Sequence, residues 1–216
     1  MNERIGIMGG MFDPVHVGHI RVALAALRML QLDHLRLVPC GVPNHRDRAL
    51  CSSLQRLDML RLAASGHPGL IVDDRELNRP GTSYTYDTLQ SLRAEFEQAE
   101  LFFILGVDAF ASLDKWYRWR ELFDLCHFVV IERPGYPVQP SGALRDMLQS
   151  RRVSGPGSAR GRKSGLIFDL DGLDSPISSS QVRKRIANDE PLNDLLDPRV
   201  ASYLGQHQLY KKAVTD

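Results

Sequence analysis

The order of apolar and amphipathic segments predicts an α/β fold, a Rossmann-like doubly wound parallel sheet with a small C-terminal helical part. Two observations carry this prediction. Short apolar segments alternate with segments of helical periodicity, and residue types suited to ligand binding follow the apolar segments. In such a sheet, ligands bind beyond the carboxyl ends of the strands, where the strand order reverses.

Six apolar segments are predicted strands, because they are short and end at glycine, proline or polar residues. They comprise residues 5–8, 35–39, 70–72, 101–105, 128–131 and 166–168. The first strand is followed by Gly9 and Gly10, and the fourth by Gly106. Parallel pairing requires right-handed crossovers, which the intervening segments supply.

The intervening segments have the periodicity or the caps of helices. Predicted helices span residues 17–30, 52 or 53–64, 83–96 and 116–123, and a short one lies near residue 144. In the first of them, Ile20, Leu24 and Leu27 recur at helical spacing. After residue 177 the chain is predicted to be helical, with breaks at Pro191 and Pro198.

The composition indicates one globular domain over residues 1–216, of which 177–216 form the helical part. A net charge of +1 excludes a strong overall attraction to nucleic acid or membrane. No apolar run reaches the roughly 18–20 residues that span a bilayer, and the first residues do not resemble a signal peptide. Three cysteines without a C-x-x-C pair indicate a reduced, cytoplasmic protein.

Residues 134–165 differ from the rest of the chain, since they are rich in Pro, Gly, Ser and Arg. This composition predicts a flexible surface insertion. Its basic residues, between Arg151 and Lys163, leave nucleic-acid binding open. In a nearly neutral chain a basic loop is more often solvated, so we expect no nucleic-acid partner.

The segment after the first predicted strand has the features of an anion site. It reads Gly9-Gly10-Met11-Phe12-Asp13-Pro14-Val15-His16-Val17-Gly18-His19. The two glycines allow a sharp turn and a close approach to a ligand, and the amides that follow can face a phosphate. His16 and His19 share one face of a helix start, where unpaired amides favour anions. Gly18 leaves room for a flat base against the helix.

Each of these features has an ordinary explanation when taken singly. A glycine pair is usually a turn, and a lone histidine is usually structural or exposed. H-x-x-H also suits a metal, but no third ligand lies at a suitable spacing and metal sites need three or four. We therefore expect no metal ligand from the protein. For the whole string, chance is a poor explanation.

The string resembles the H-x-G-H signature of the nucleotidyltransferase superfamily, which includes the class I aminoacyl-tRNA synthetases. Its long form, G-G-x-F-D-P-x-H-x-G-H, is similar to that of the bacterial nicotinate-nucleotide adenylyltransferases. The resemblance implies that His16 and His19 are catalytic and bind the ATP phosphates. It also implies ATP contacts at Gly9, Gly10, Met11, Phe12 and Gly18. The family commonly has Thr or Ser where this chain has Met11. A contact from the backbone amide is compatible with methionine there, whereas a contact from a side-chain hydroxyl is not.

A second string near the end is Ile177-Ser178-Ser179-Ser180-Gln181-Val182-Arg183. Serines before a helix are natural N-caps, and an arginine one turn later can grip a phosphate. A capped surface helix is the alternative. The string resembles the I-S-x-[ST]-x-x-R motif of the same superfamily, which implies that Ile177, Ser178, Ser180 and Arg183 bind the ATP phosphates and that Arg183 is also catalytic. It lacks the lysines of K-M-S-K-S, and 216 residues leave no room for a tRNA-binding domain, which argues against a synthetase.

Four further strings resemble elements of the adenylyltransferase family. They are Ser83 to Leu89 (S-Y-T-x-x-T-L), Gly106 to Asp108 with Trp116-Tyr117 (G-x-D…W-Y), Val42 to Arg46 (V-P-P-H-[KR], with Asn44 in place of a proline), and Glu132 to Tyr136 (R-R-P-G-Y). The similarity covers nearly the whole chain and is poorest over residues 138–165.

The resemblance implies a nucleotide partner for each of these strings. Gly106, Asp108 and Arg133 are assigned to ATP. The acceptor, nicotinate mononucleotide, is assigned to His45, Arg46, Ser83, Tyr84, Thr85, Trp116 and Tyr117. Trp116 offers a flat face for stacking, and donors near Thr85 and Tyr117 suit a carboxylate. Without the flanking strings, we would expect both Trp116 and Trp119 in the core. For Asp108, a helix cap is as plausible as a nucleotide contact.

The resemblance implies transfer of AMP from ATP to nicotinate mononucleotide, with Mg²⁺ held by substrate oxygens. Three alternatives stay open. The first is that the acceptor is nicotinamide mononucleotide or phosphopantetheine. The second is that the protein is a non-catalytic nucleotide sensor. The third is that the basic segment binds nucleic acid. The sequence leaves the oligomeric state undetermined.

Overall fold

The fold is built on a seven-stranded sheet in which every strand pair is parallel. The computed structural model describes residues 2–44, 49–131, 142–159, 161–170, 172–173 and 177–211. The strands are β1 (Arg4–Gly10), β2 (His34–Pro39), β3 (Leu70–Val72), β4 (Glu100–Gly106), β5 (His127–Ile131), β6 (Arg152–Val153) and β7 (Ile167–Leu170). Their order in the sheet is β3-β2-β1-β4-β5-β7-β6. The order reverses between β1 and β4, which confirms the predicted doubly wound sheet.

Helices cover both faces of the sheet. They are α1 (Val17–Met29), α2 (Ser53–Ala64), α3 (Thr85–Glu95), α4 (Val107–Ala111), α5 (Leu122–Leu125), α6 (Gly142–Arg151), α7 (Ser179–Ala187) and α8 (Pro198–Gln206). Buried residues of α1, α2, α7 and α8 form one core with the sheet, and those of α3 to α6 form the other. Along β4, Phe102 and Ile104 belong to the first core and Phe103 to the second. Successive strand residues therefore serve opposite faces.

Local sequence explains the starts of α2 and α8. Ser52 is the N-cap of α2, and its hydroxyl accepts from the Gln55 amide while the Gln55 side chain accepts from the Ser52 amide. This capping box confirms the predicted start. In α8 the N-cap is Asp197 and Pro198 is the first helical residue, so this proline begins a helix where we expected a break.

The predicted helix over residues 116–123 is wrong. A 3₁₀ turn, Leu113–Lys115, ends at Trp116, whose backbone is extended, and α5 begins only at Leu122. Arg118 lies between them with φ at 52°, in the left-handed region. Neither conformation continues a right-handed helix, so the apolar spacing of this segment reflects an irregular connection.

The expected flexible insertion is also wrong for its described part. Helix α6 confirms the short helix near residue 144, and it buries Leu144 and Leu148 in the second core. Strand β6 pairs with β7. Arg152 forms an ion pair with Asp169 at 2.6 Å. The basic segment therefore contributes an edge strand to the sheet.

His127 is a buried histidine at the start of β5 and is fully shielded from solvent. Its Nε2 lies 2.7 Å from the Arg162 carbonyl, and its Nδ1 accepts from the Leu166 amide at 3.2 Å. One ring nitrogen donates and the other accepts, which is the pattern of a neutral imidazole. Burial lowers the pKa of His127 to about 4.

We expect this histidine to make the fold sensitive to acid. Its pKa in the folded state, about 4, lies below the ordinary value of 6.5. Its contribution to the free energy of unfolding is therefore complete above pH 6.5 and decreases as the pH falls toward 4. The loss is on the order of 3 kcal/mol. Denaturant unfolding at pH 4.5 to 7 measures it, and His127→Gln should flatten the dependence. An unchanged slope in that variant would contradict the assignment.

Candidate functional site

A cavity of about 450 Å³ lies at the carboxyl ends of the central strands. Gly9 and Gly10 of β1 and Gly106 of β4 line it, so it sits where the strand order reverses. A Cβ on Gly106 would meet no protein atom within 4 Å. This glycine leaves its side of the cavity open. The position is the one expected for a nucleotide in a doubly wound sheet.

The chain leaves β1 through a turn whose centre is buried. Phe12 is only 1% exposed and has φ at 49°, a left-handed conformation that costs roughly 1–2 kcal/mol for a residue with a side chain. Its ring lies under Gly10, where a Cβ would stand 3.1 Å from the ring. It also packs edge-on against His19, with 5.0 Å between ring centroids. The Phe12 side chain is thus core, and only its backbone is available to a ligand.

The two histidines of the first motif form a stacked pair at the start of α1. Their ring centroids are 3.7 Å apart and the ring planes differ by 27°. His16 is the N-cap of α1, and its backbone amide donates to His19 Nδ1 at 3.2 Å. With Nδ1 accepting, a neutral His19 carries its proton on Nε2. The predicted placement of both rings on one face is confirmed.

Both imidazoles are neutral near pH 7. Burial lowers the pKa of His16 to about 4. Burial, together with the neighbouring His16, lowers the pKa of His19 well below 6.5. Within the described chain, His16 Nδ1 is buried without a hydrogen-bond partner.

The second motif contacts the loop of the first. The Ser179 hydroxyl donates to the Pro14 carbonyl at 2.9 Å, and Arg183 Nη1 donates to the Asp13 carbonyl at 2.7 Å. Arg183 Nη2 also donates to the Ser180 hydroxyl at 3.1 Å, and Ser178 caps α7. Groups about 165 residues apart in the chain therefore meet in one place, as the two motifs predict.

Asp13 connects three distant parts of the chain. Its carboxylate accepts from the Leu50 amide at 2.8 Å, the Cys51 amide at 3.2 Å and the Tyr210 hydroxyl at 2.6 Å, while its carbonyl accepts from Arg183. It is 6% exposed. Burial, and then the hydrogen bond to Asp13, raise the pKa of Tyr210. The first loop is thereby joined to the start of α2 and to both ends of the C-terminal part.

The opposite wall of the cavity carries the residues predicted for the acceptor. Thr85 is the first residue of α3, and no side chain caps this helix at Tyr84. The Tyr84 ring lies 4.7 Å from that of Tyr117. Trp116 lines the cavity beside Phe103, whereas Trp119 is 8% exposed and belongs to the core. An aromatic wall beside an uncapped helix N-terminus suits a flat ring that carries a negative charge.

The predicted site residues that the structure describes form two groups and one single residue. The cavity brings together Gly9, Gly10, Met11, Ser83, Tyr84, Thr85, Gly106, Trp116 and Tyr117. The second group belongs to the two motifs and is not part of the cavity lining: Phe12, His16, Gly18, His19, Ile177, Ser178, Ser180 and Arg183. Asp108 is exposed in the first turn of α4, next to Gly106. Predictions at His45, Arg46 and Arg133 fall outside the described residues.

Sequence reasoning missed several residues that shape the site. Asp13, Ser179 and Tyr210 hold the loop, and Glu76 lines the cavity. Glu76 accepts from the Thr88 hydroxyl at 2.7 Å and from the Gly41 amide at 3.4 Å. Asp13 and Ser179 belong to the two motifs, so their position was a signal. Nothing in the local sequence marks Tyr210 or Glu76, since their roles come from distant contacts.

No group of three or more His, Cys, Asp or Glu side chains in the described part of the chain is arranged to hold a metal ion. Nor does any helix in the same ranges have the length and apolar character required to cross a bilayer.

Arg151 donates to the Gly165 carbonyl at 3.1 Å and lies over the Phe123 ring, so this basic side chain also bonds within the protein.

Comparison with known proteins agrees with the geometry. The cytidylyltransferase-like family model matches residues 7–185. Over 212 residues the chain is 43% identical to a probable nicotinate-nucleotide adenylyltransferase of Cellvibrio japonicus, with 98% of this chain and 100% of the relative covered. It is 43% identical to the protein of the same name from Pseudomonas fluorescens, with 98% and 99% covered.

Among solved structures, the chain resembles the Plasmodium falciparum nicotinic acid mononucleotide adenylyltransferase complexed with NaAD. The TM-score is 0.74 at 19% identity, with 97% of this chain and 98% of that chain covered. At this level of identity the likeness establishes the fold.

The Tyr210–Asp13 hydrogen bond should contribute to stability. Tyr210→Phe removes the donor and keeps the ring, and a hydrogen bond to a charged group is worth about 1.5–3 kcal/mol. Tyr203→Phe is a matched control, because its hydroxyl donates to Asp58 at 3.2 Å on the exposed surface. The control should lose less than about 0.5 kcal/mol. Urea unfolding compares the two, and equal stabilities would show that Tyr210 does not hold the loop.

Proposed function

Because the chain belongs to the cytidylyltransferase-like family and, within it, to the nicotinate-nucleotide adenylyltransferases, we propose that it transfers AMP from ATP to nicotinate mononucleotide. The products are nicotinate adenine dinucleotide and pyrophosphate, a step in NAD biosynthesis. One structural observation carries the proposal. The loop after β1 meets the second motif at Asp13 and Pro14, beside a cavity at the switch point of the sheet.

The reaction is a direct in-line displacement. A phosphate oxygen of the mononucleotide attacks the α-phosphorus of ATP, the new P–O–P bond forms, and the bond to the bridging oxygen of pyrophosphate breaks. No covalent enzyme intermediate is required. The protein acts by positioning the two phosphates and by stabilising the charge that develops on the leaving pyrophosphate.

In this reaction His16 and His19 act as neutral hydrogen-bond donors to the triphosphate. His19 donates from Nε2, since its Nδ1 accepts from the His16 amide. The two rings are stacked 3.7 Å apart, which supports a shared role at one triphosphate. Because their lowered pKa values keep them uncharged before binding, an anion that arrives also favours their protonated forms. Ser180 and Arg183 close the triphosphate site from the second motif.

The acceptor occupies the aromatic side of the cavity. The pyridine ring stacks on Trp116, and its carboxylate faces the amides at the start of α3, near Thr85. The positive end of a helix and its unpaired amides favour a carboxylate. A nicotinamide amide group carries no charge and presents NH₂ donors to those amides, which leaves them poorly paired.

Magnesium enters as part of the ATP substrate. The ion is held by phosphate oxygens and water. When bound, the ion neutralises charge on the triphosphate. The chain's own contribution is the pair of imidazoles and the Ser180–Arg183 turn.

Pyrophosphate release from ATP with different acceptors tests the proposal. We expect kcat/KM for nicotinate mononucleotide to exceed that for nicotinamide mononucleotide by at least about tenfold, because a charge-assisted pairing is lost. Phosphopantetheine should be inert. A preference for either alternative acceptor would reassign the substrate. ATP binding without pyrophosphate release with any acceptor would indicate a nucleotide sensor.

The two histidines should matter far more for turnover than for folding. His16→Ala and His19→Ala should each lower kcat by about 10²–10³-fold, the usual effect of removing a donor to a developing anion. His207→Ala, at the exposed end of α8, is the control and should keep full activity. Steady-state kinetics and circular dichroism are measured on the same preparations. Wild-type turnover in either active-site variant would refute the role of that histidine.

A further inference from the structure

Arg56 is a buried arginine behind the site, on the first turn of α2. It is 1% exposed, and its Nη1 donates to the Met11 carbonyl at 2.7 Å. Its Nη2 donates to the Cys40 carbonyl at 2.6 Å and to the Ser53 hydroxyl at 3.4 Å. Met11 follows β1, Cys40 follows β2, and both line the cavity. One guanidinium therefore joins the ends of two neighbouring strands at the cavity wall.

Burying a positive charge to join two strand ends costs free energy. Among the described residues no carboxylate forms an ion pair with Arg56, and its Nε is buried without a hydrogen-bond partner. Isolated buried charges are strongly disfavoured, and an apolar side chain of similar size would serve the core better. On the same helix, the exposed Arg61 pairs with Asp74 in the ordinary way. The position of Arg56 thus favours a role in binding anions.

The two carbonyls that Arg56 holds also set the direction of two amides. In a trans peptide the N–H points opposite to the C=O. Turning the Cys40 carbonyl toward Arg56 turns the Gly41 amide toward Glu76, which lines the cavity, and that contact is present at 3.4 Å. Turning the Met11 carbonyl toward Arg56 likewise sets the Phe12 amide. Phe12 is in the left-handed region, and such a conformation persists only where its surroundings hold it.

We propose that Arg56 is a positioning residue for nucleotide transfer, a role that rests on the proposed function. Its hydrogen bonds to the Met11 and Cys40 carbonyls keep the loop after β1 in the shape that presents backbone amides to the triphosphate. Its buried positive charge strengthens the binding of the anionic substrates from behind the loop. Arg56 contacts the loop and not the reacting atoms.

Two substitutions separate these contributions. Arg56→Lys keeps the charge but cannot bridge two carbonyls with a planar fork, whereas Arg56→Met removes both charge and bridge. Arg61→Met, on the exposed side of α2, is the matched control. ATP affinity is measured by calorimetry without an acceptor, kcat by pyrophosphate release with nicotinate mononucleotide, and folding by thermal unfolding. The ATP affinity does not depend on which acceptor the enzyme uses. If wild type fails to turn over nicotinate mononucleotide, the proposed function is wrong, and kcat is then measured with the acceptor that wild type does use.

We expect Arg56→Lys to bind ATP within about threefold of wild type and to lose kcat by about tenfold or more, since hydrogen bonds to a charged group are lost. Arg56→Met should lose both kcat and ATP affinity, each by about tenfold or more. The Arg61→Met control should match wild type. Folded Arg56 variants with unaltered kcat and ATP affinity would overturn the proposal. Failure of both variants to fold would also overturn it, by assigning the side chain to the core.

Discussion

The site depends on how the loop between β1 and α1 is held in place. Asp13 is the centre of that constraint, because its carboxylate accepts from Leu50, Cys51 and Tyr210 while its carbonyl accepts from Arg183. A buried carboxylate with several donors is stable only when those donors stay in position. The loop, the start of α2 and the C-terminal part are thereby bound to one another, although they are far apart in the chain.

This constraint explains why a left-handed Phe12 and a pair of neutral histidines are found at the end of a parallel strand. The Phe12 ring supports Gly10 and His19 from within the core, and burial keeps the imidazoles uncharged. These contacts set the shape of the loop without a ligand. In the reaction that we propose, little reorganisation is then needed when charge develops on a phosphate. Preorganised donors of this kind are usually the largest contribution to transfer reactions at phosphorus.

Some features of the site follow from local sequence and others do not. The strand, the glycine pair and the spacing of His16 and His19 place two rings on one helix face, because helical periodicity is local. The helix predicted over residues 116–123 is wrong for the converse reason. Arg118 has a positive φ in a connection shaped by contacts with the core. The spacing of apolar residues does not indicate whether φ is positive or negative.

By itself the sequence determined the α/β class, most strands, the first helix and its two histidines, and the resemblance that the family comparisons confirm. These depend on periodicity, caps and short motifs, which act within a few residues. Only the tertiary structure decided that Trp116 lines the cavity while Trp119 is core, and that the basic segment supplies an edge strand. It alone brought Tyr210 to Asp13 and Arg56 to two strand ends. The reason is physical: burial and long-range hydrogen bonds are set by neighbours in space, which no local pattern specifies.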